Sequence, residues 1–591
     1  MRLAAAKEVP PLQSVLQQLP SLTARQLCLL VAVAFGLLAG LHGPYTYDGW
    51  THLATGRLIC EGGVVPRVDD FSYTAAGRPW IVHEWAWDVF VFRLHAWLGP
   101  GGLTALVATL AALFAASCYH LCIRRGANGL VACLVTVLSV AALRPAINER
   151  PQMVQALMVL GALHMMQSYR KGKRSLLLAY PPLMLLWVNL HGSFPVGLAL
   201  LALFGLCELL RSPSVGIRRR LPLVMPRPSL FLMAVFVLSV LACFVNPNGL
   251  EGVMYPLKYV EGNMQWATGQ VQEFSSPSWH EAGLRAGLVM LLWVFICLAV
   301  SPVSPAPFDL VSVLVSALLL LQWVRNIPLF VALAGPVMGV HLSLWLDALS
   351  GVPRGVREHI RALDRGGHLA MRVGSWGIVC AVVALCGVRI ARVDALGARA
   401  LLTRFPVKAV EYVSASGLRG ALLNTYEWGG YLIWRFQGAR PVFIDGRADV
   451  YGESIWREYL QVIRAGPGWR TVLDRHDVQY LILDRRQPVC RVLDIAPEFV
   501  RVYRDAKAVV YVRVGGLNAG LGRLSGGSGV YRGAAGPHNT RGPIFAPRPD
   551  DKPVARRRRE FVPQHLQEAD DRVANLSTTA SYASSSASPD T

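Results

Sequence analysis

Eleven stretches of this chain are apolar enough to be read as membrane spans, and no other feature limits its fold as strongly. They are 25–43, 101–122, 127–143, 151–168, 175–189, 194–210, 229–245, 285–301, 308–324, 327–346 and 374–390. A helix needs about 20 largely apolar residues to cross the hydrocarbon core. The pair 308–324 and 327–346 is separated only by Arg325 and Asn326, so it reads as a tight helical hairpin. Of the 591 residues, 53% are hydrophobic and 16% are charged, against about 25% charged in ordinary soluble domains. An all-soluble chain is excluded. The first stretch lacks a small-x-small cleavage pattern before a polar region, and we read it as a retained span.

The formal charge of +21 would by itself suggest a nucleic-acid partner, but its placement argues for topology instead. With the N-terminus in the cytoplasm, the segments on that side are 1–25, 123–126, 169–174, 211–228, 302–307 and 347–373, and they hold 19 Lys and Arg. The outer loops 44–100, 144–150, 190–193, 246–284 and 325–326 hold 8 and are longer overall. Cytoplasmic loops carry the excess of Lys and Arg in membrane proteins. The expectation is a multi-pass membrane protein. Its domains are a cytoplasmic N-terminus at 1–24, a transmembrane domain at 25–390 that includes the outer loop 44–100, and an extracytoplasmic domain at 391–514. Membrane lipids are its surroundings, and nucleic acid is not a partner.

Beyond the spans, "RGALLNTY", "RPVFIDGR", "VQYLILDR", "EFVRVYRD" and "KAVVYVRV" read as short strands. "PVKAVEYVSAS", "SIWREYLQVIR" and "GWRTVLDRH" have helical spacing. Strands alternating with helices predict a small α/β domain with a partly parallel sheet. Residues 515–591 are rich in Gly, Ser, Pro, Ala and Arg without apolar periodicity and read as a disordered tail. Its "ARRRRE" run reads as a solvated charge run, with phosphate or anionic lipid as the other reading. Nine of the eleven cysteines lie in or beside apolar spans. Cys60 and Cys490 lie outside, as a pair or as two thiols. No CxxC or His/Cys spacing suggests zinc, and no P-loop, dinucleotide-binding glycine motif or GxSxG elbow is present.

The informative polar residues fall at the outer ends of the spans. The first outer loop holds Asp48, His52, Arg57, Asp69, Asp70, His83, Glu84 and Asp88, with net charge −2. The next outer turns bring Arg144, Asn148, Glu149 and Arg150, then Asn189 and His191, then Asn246 and Asn248, and finally Arg325 and Asn326. Ionisable groups at membrane depth are costly and face a cavity or a partner. Capping and turn formation explain any one of these loops, but five on one face point to a polar cleft. If "DGWTHLATGR" is helical, Asp48 and His52 share a face at i,i+4. Asp48 is then either a general base or a helix N-cap. Asp69 and Asp70 cap or turn, or contribute to the site.

The stretches "TYDGWTHLATGRLI…GGVVPRVDDFSYTAAGRPWIVHEW", "WVNLHGSF" and "NPNGLEGVMYP" resemble a group of bacterial polytopic proteins of the C-type (GT-C) membrane glycosyltransferase kind. In the outer domain, "NTYEWGGYLIWRFQGARPVFIDGRADVYG" is similar in layout to the Trp- and Gly-rich segment of oligosaccharyltransferase catalytic subunits. The resemblance covers about residues 25 to 514. It implies an α-helical polytopic fold of about eleven spans, GT-C-like, with a C-terminal extracytoplasmic α/β domain. It implies transfer of a sugar from a polyprenyl-phosphate donor to a glycan, lipid or protein acceptor at the outer face. Asp48 is then the base, with His52 orienting it or touching substrate. Arg144, Arg150, His191 and Arg325 are candidates for the lipid phosphate. Asp69 and Glu84 are candidates for acceptor hydroxyls or for a divalent metal, the one cofactor the resemblance allows. Trp50, Trp80 and Trp85 stack on a sugar or belong to an interfacial belt. Asp445, Arg447 and Asp449 bind an acceptor or form a structural ion pair and turn, and Trp428, Gly429 and Gly430 make a tight strand-to-helix turn. This chain departs from the pattern in having Asp48-Gly49 as its first acidic motif and Gly429 where an oligosaccharyltransferase carries Asp.

Two other classes compete. A transporter or flippase of a lipid-linked sugar would place polar groups near the midplane in broken helices and inverted repeats. A non-catalytic envelope-assembly scaffold would have no use for Asp48 or the arginines.

Overall fold

The computed structural model describes residues 22–43, 45–211, 227–260, 272–349 and 369–520. The expected N-terminal segment 1–24, the tail 515–591 with its "ARRRRE" run, and the basic loops 211–228 and 347–373 lie largely outside the described residues. The chain divides into two compact units. A helical unit falls within Met1–His42, Thr104–Leu257 and Thr268–Val393. A mixed unit falls within Gly43–Leu103, Lys258–Ala267 and Asp394–Thr591. The segment expected to be a long loop of the transmembrane domain is therefore part of the mixed unit.

In the helical unit the apolar stretches are helices. Among the described residues, five helices are long and apolar enough to cross a membrane: Trp85–Arg124, Gly129–Ala146, Phe194–Arg211, Val324–Ala348 and Gly374–Arg392. Four more, Ala24–Gly40, Ser229–Cys243, Arg285–Val300 and Pro307–Gln322, are apolar but shorter. The stretch 175–189 begins as a 3-10 turn, Arg174–Ala179, and becomes an α-helix only at Tyr180–Leu190. Pro181 and Pro182 sit in the first turn of that helix, where a missing N–H is tolerated. Between 308–324 and 327–346 the expected break is present as the 3-10 turn Val324–Asn326.

These helices approach through small residues. A Cβ on Gly36 would lie 2.6 Å from the Ala111 carbonyl oxygen, and one on Gly40 would lie 2.4 Å from the Ala108 Cα. Small residues permit such contact in membrane bundles, where apolar surface alone gives no drive to associate. Large apolar side chains point outward instead, with Leu134 59%, Leu292 62% and Leu318 67% exposed. Apolar surface on this scale needs lipid or a partner to cover it.

Helix Trp85–Arg124 is interrupted at Gly99, whose φ of 61° suits glycine, and Pro100 follows. Residues before the break include Asp88, Arg93 and His95; those after it form the apolar span.

The mixed unit contains one four-stranded sheet, in the order β1 (Ala421–Asn424), β2 (Val478–Asp484), β4 (Ala508–Arg513), β3 (Phe499–Arg504). β1 and β2 are parallel, and the other pairs are antiparallel, as the alternating pattern predicts. Helices Val407–Ser416, Ala448–Ile463 and Trp469–Arg475 form where the spacing places them. One expected strand is absent: "RPVFIDGR" makes only an isolated parallel bridge, Ser72 to Val442. Its backbone bonds go to the segment Phe71–Tyr73 and to the Asn424 side chain of β1, not to a strand ladder. Tyr73 N–H donates to the Val442 carbonyl at 3.2 Å, and Val442 N–H donates to the Phe71 carbonyl at 3.0 Å. Cys60 and Cys490 are both free thiols.

Candidate functional site

Asp48 lies in the first turn of helix Tyr47–Gly62. The N-cap is Thr46, whose hydroxyl accepts from Gly49 N–H at 3.1 Å, so the capping alternative for Asp48 falls away. Asp48 is half-buried, and a carboxylate in a first turn is favoured by the helix dipole.

Two glycines, Gly430 and Gly446, approach this helix closely, and Gly429 packs beside them. A Cβ on Gly430 would lie 2.3 Å from Thr51 Oγ1. One on Gly429 would lie 2.4 Å from the Ile444 carbonyl oxygen, and one on Gly446 would lie 2.5 Å from Asp48 Oδ1. β1 leads through the 3-10 turn Tyr426–Trp428 into helix Gly429–Arg435. That is the expected strand-to-helix turn, and its purpose is close approach rather than a positive φ. Trp50 is packed away from water, stacked on Tyr45 at 4.3 Å and edge-on to Phe405 and Tyr431. Trp80 is buried under the Arg447 guanidinium at 4.4 Å. Neither ring has a face for a sugar, so both sugar-stacking and interfacial readings give way to packing. Trp85 is half-buried.

His52 stands one turn beyond Asp48, but its bond is to Asp88, a residue to which the sequence gave no role. His52 Nδ1 and Asp88 Oδ1 are 2.6 Å apart. Gly56 allows this, since a Cβ there would meet the Asp88 carbonyl oxygen at 2.1 Å. Glu84 Oε2 lies 3.9 Å from His52 Nε2, and Glu84 Oε1 lies 3.7 Å from His83 Nε2. Asp88 precedes the span and is 3% exposed. Burial pushes its carboxyl up to about 6, against the bond to His52 and the imidazole charge, which lower it.

Asp69 has a different task. It is fully buried. Its carboxylate accepts from Phe71 N–H at 3.1 Å, from Ser72 N–H at 3.2 Å and from the Ser72 hydroxyl, and it pairs with Arg447 Nη1 at 2.7 Å. Arg447 also donates to Asp445 at 2.9 and 2.6 Å, and the Tyr451 hydroxyl donates to Asp445 at 2.6 Å. Burial would raise the Asp445 carboxyl, yet Arg447 and these bonds hold it below the usual carboxylate range. The Asp445–Arg447 ion pair is structural, and Asp69 is its third member.

In the helical unit, three of the four basic candidates act on one carboxylate. Arg150 pairs through both terminal nitrogens with Glu273, Nη2 at 3.2 Å from Oε2. Arg325 lies over the Phe274 ring at 4.9 Å. His191 ends helix Tyr180–Leu190, and its Nδ1 accepts from Ser193 N–H at 3.1 Å and lies 2.6 Å from Ser193 Oγ. Burial would raise Glu273, but Arg150 first, then Arg325 and His191, hold it down at about 2. Arg144 is exposed in the 3-10 turn Arg144–Ala146. The asparagines of these turns bond backbone: Asn189 to Leu185 and Val245, Asn246 to Cys243 and Gly249, Asn326 to Leu319. They are turn formers. The sequence named Asp88 among the polar residues of the segment 44–100 without giving it a role, and did not mark Glu273. Among the described residues, no group of three or more His, Cys, Asp or Glu is placed to hold a metal ion.

No family model matches this chain, and no curated protein sequence does. Solved structures do. The archaeal oligosaccharyltransferase AglB from Archaeoglobus fulgidus, solved with an inhibitory peptide and a dolichol-phosphate, superposes with a TM-score of 0.50 at 12% identity, over 79% of this chain and 70% of that one. ArnT from Cupriavidus metallidurans, bound to undecaprenyl phosphate, gives 0.46 at 15% identity, over 83% and 97%. The arabinofuranosyltransferase AftD from Mycobacteria gives 0.45 at 12% identity, over 83% and 42%. The chain has a GT-C-like fold, as the resemblance in sequence implied.

Proposed function

We propose that this chain is a membrane glycosyltransferase that moves a sugar from a polyprenyl-phosphate donor to a hydroxyl-bearing acceptor at the extracytoplasmic face. The observation that carries this reading is Asp48: an accessible carboxylate in a helix first turn, seated against Gly446, in a chain with a GT-C-like fold. The AglB structure was solved with a dolichol-phosphate, and a lipid phosphate suits the cations of the helical unit here. In this reading the acceptor O–H gives its proton to Asp48 while its oxygen bonds to the anomeric carbon. The bond from that carbon to the phosphate oxygen breaks, and the electron pair leaves with the lipid phosphate. In the helical unit, Arg144, Arg325, His191 and, in exchange for Glu273, Arg150 are the candidates for holding a lipid phosphate, because Arg offers donors that match phosphate. Glu84 contacts an acceptor hydroxyl, and Asp69 acts on the site only through the frame it braces.

The reading retains eleven spans, an N-terminus in the cytoplasm of a bacterial inner membrane and an outer C-terminal domain. The test is transfer of labelled sugar from a panel of polyprenyl-phosphate sugars by the purified protein, beside Asp48→Asn. Transfer by the wild type that the variant lacks supports the assignment. Turnover by both removes Asp48 from the mechanism, and turnover by neither with any lipid donor favours a transporter or a scaffold.

A further inference from the structure

Four titratable side chains beside Asp48 alternate imidazole and carboxylate. His83 Nε2 is 3.7 Å from Glu84, Glu84 is 3.9 Å from His52 Nε2, and His52 Nδ1 is 2.6 Å from Asp88. Their side-chain exposures fall in the same order: 29%, 18%, 13% and 5%. We propose that this row is a proton path that returns Asp48 to its basic form after each transfer, with Asp88 as the positioning residue for His52. The proposal rests on the glycosyl-transfer reading above and goes beyond it, because that reading consumes a proton acceptor at every turnover and does not say how it is regenerated.

The geometry favours a path over a simple tie between helices. A tie needs one carboxylate on His52. Here a second carboxylate and a second imidazole extend the row toward solvent. The Gly56 approach fixes the backbones of the two helices against each other at Asp88, so the His52 ring is set by packing rather than by a flexible surface pairing. Asp48 and His52 at i,i+4 have Cβ atoms roughly 5–6 Å apart, within reach of a single bridging water. When Asp88 accepts from Nδ1–H, Nε2 is the nitrogen left to take a proton. The proton then moves from Asp48 to His52 Nε2, and the Asp88 carboxylate stabilises the imidazolium. Nε2–H passes it to the Glu84 carboxylate, which passes it to His83 and to water. No oxidant or second reactant is needed, and each group ends as it began.

Three variants of the full-length protein in detergent or nanodiscs test the path. Glu84→Gln should lower multiple-turnover kcat by roughly tenfold to a hundredfold. A single turnover at saturating acceptor should stay near the wild-type rate, because Asp48 begins deprotonated. Imidazole buffer should restore the lost kcat, since it replaces the missing relay. His83→Gln should show a smaller loss of the same kind. Asp88→Asn should lower kcat, and in protein with 15N-labelled histidine it should change the protonated nitrogen of His52 from Nδ1. The proposal is overturned if Glu84→Gln slows single and multiple turnovers equally, if imidazole does not rescue it, or if the His52 signals are the same in Asp88→Asn as in wild type. The nitrogen measurement needs no turnover. If the wild type transfers no sugar, the glycosyl-transfer reading fails on its own, and the His52–Asp88 coupling is still decided.

Discussion

Clusters in the two units handle charge in opposite ways. In two clusters of the mixed unit one basic group meets two carboxylates: Arg447 lies between Asp69 and Asp445, and His52 between Glu84 and Asp88. Around Glu273 in the helical unit the ratio is reversed, with Arg150, Arg325 and His191 acting on one carboxylate. The contrast also separates sealed acids from a partly exposed one. Asp69 and Asp445 are sealed and bonded on several sides, whereas Asp48 is half-buried in a first turn.

The largest effect expected is that of Asp48→Asn, a fall in kcat of about 10³-fold from loss of the base, with binding of the lipid phosphate unchanged. If lipid binding fell instead, the division of roles between the units would be reversed. Next is Arg447→Met. Removing one partner from a buried ionic group leaves uncompensated charge, at a cost of about 3–5 kcal/mol. Thermal unfolding should therefore shift down steeply. Asp69→Asn should shift it in the same direction while leaving KM for any surviving activity unchanged. A KM effect without a stability effect would return Asp69 to the substrate.

Gly446→Ala is more selective. The added methyl would sit 2.5 Å from Asp48 Oδ1, so the carboxylate must move. A displacement near 1 Å can cost about 10²-fold in rate. The expected result is a loss of kcat with little change in unfolding temperature. Equal losses in both would mean that the glycine serves packing alone.

This position shows how far the sequence could be read. The residue types of "EWGG" and "FIDGR" indicate a turn, but not that Gly446 meets a carboxylate nearly 400 residues earlier. Strands β1 to β4 were legible because short apolar runs with flanking turn residues report local pairing. "RPVFIDGR" had the same local signature and was misread, since its backbone partners are Phe71, Tyr73 and the Asn424 side chain. The pairing of Asp88 and the place of Glu273 were missed for a related reason. Their partners are 36 and 123 residues away, and pattern along the chain does not encode which distant basic group meets which acid. The helical stretches were legible as apolar windows, except that 175–189 begins as a 3-10 turn and is α-helical only from Tyr180.

Arg150→Gln should weaken binding of polyprenyl phosphate by roughly tenfold to a hundredfold, the worth of a charge-assisted hydrogen bond, and leave the pH behaviour of the mixed unit unaltered. The smallest effect concerns the carboxylate that this arginine holds. Glu273 is held at about 2, below its ordinary 4.5. A depressed acid stabilises the folded arrangement above its unfolded value, and that stability is lost as pH falls from about 4.5 toward 2. The side chain is 31% exposed, so after solvent screening the contribution is on the order of 1 kcal/mol. A local reporter exists, because Val324 N–H donates to the Ser275 carbonyl at 3.0 Å. Hydrogen exchange at Val324, normalised to intrinsic rates, should be protected at pH 5 and lose protection below about 4.5. In Glu273→Gln the protection should already be reduced at pH 7 and should not change on acidification. If that variant instead behaves like wild type at every pH, Arg150 holds the segment by packing alone, and the charge contrast between the units has no bearing on how this turn is held.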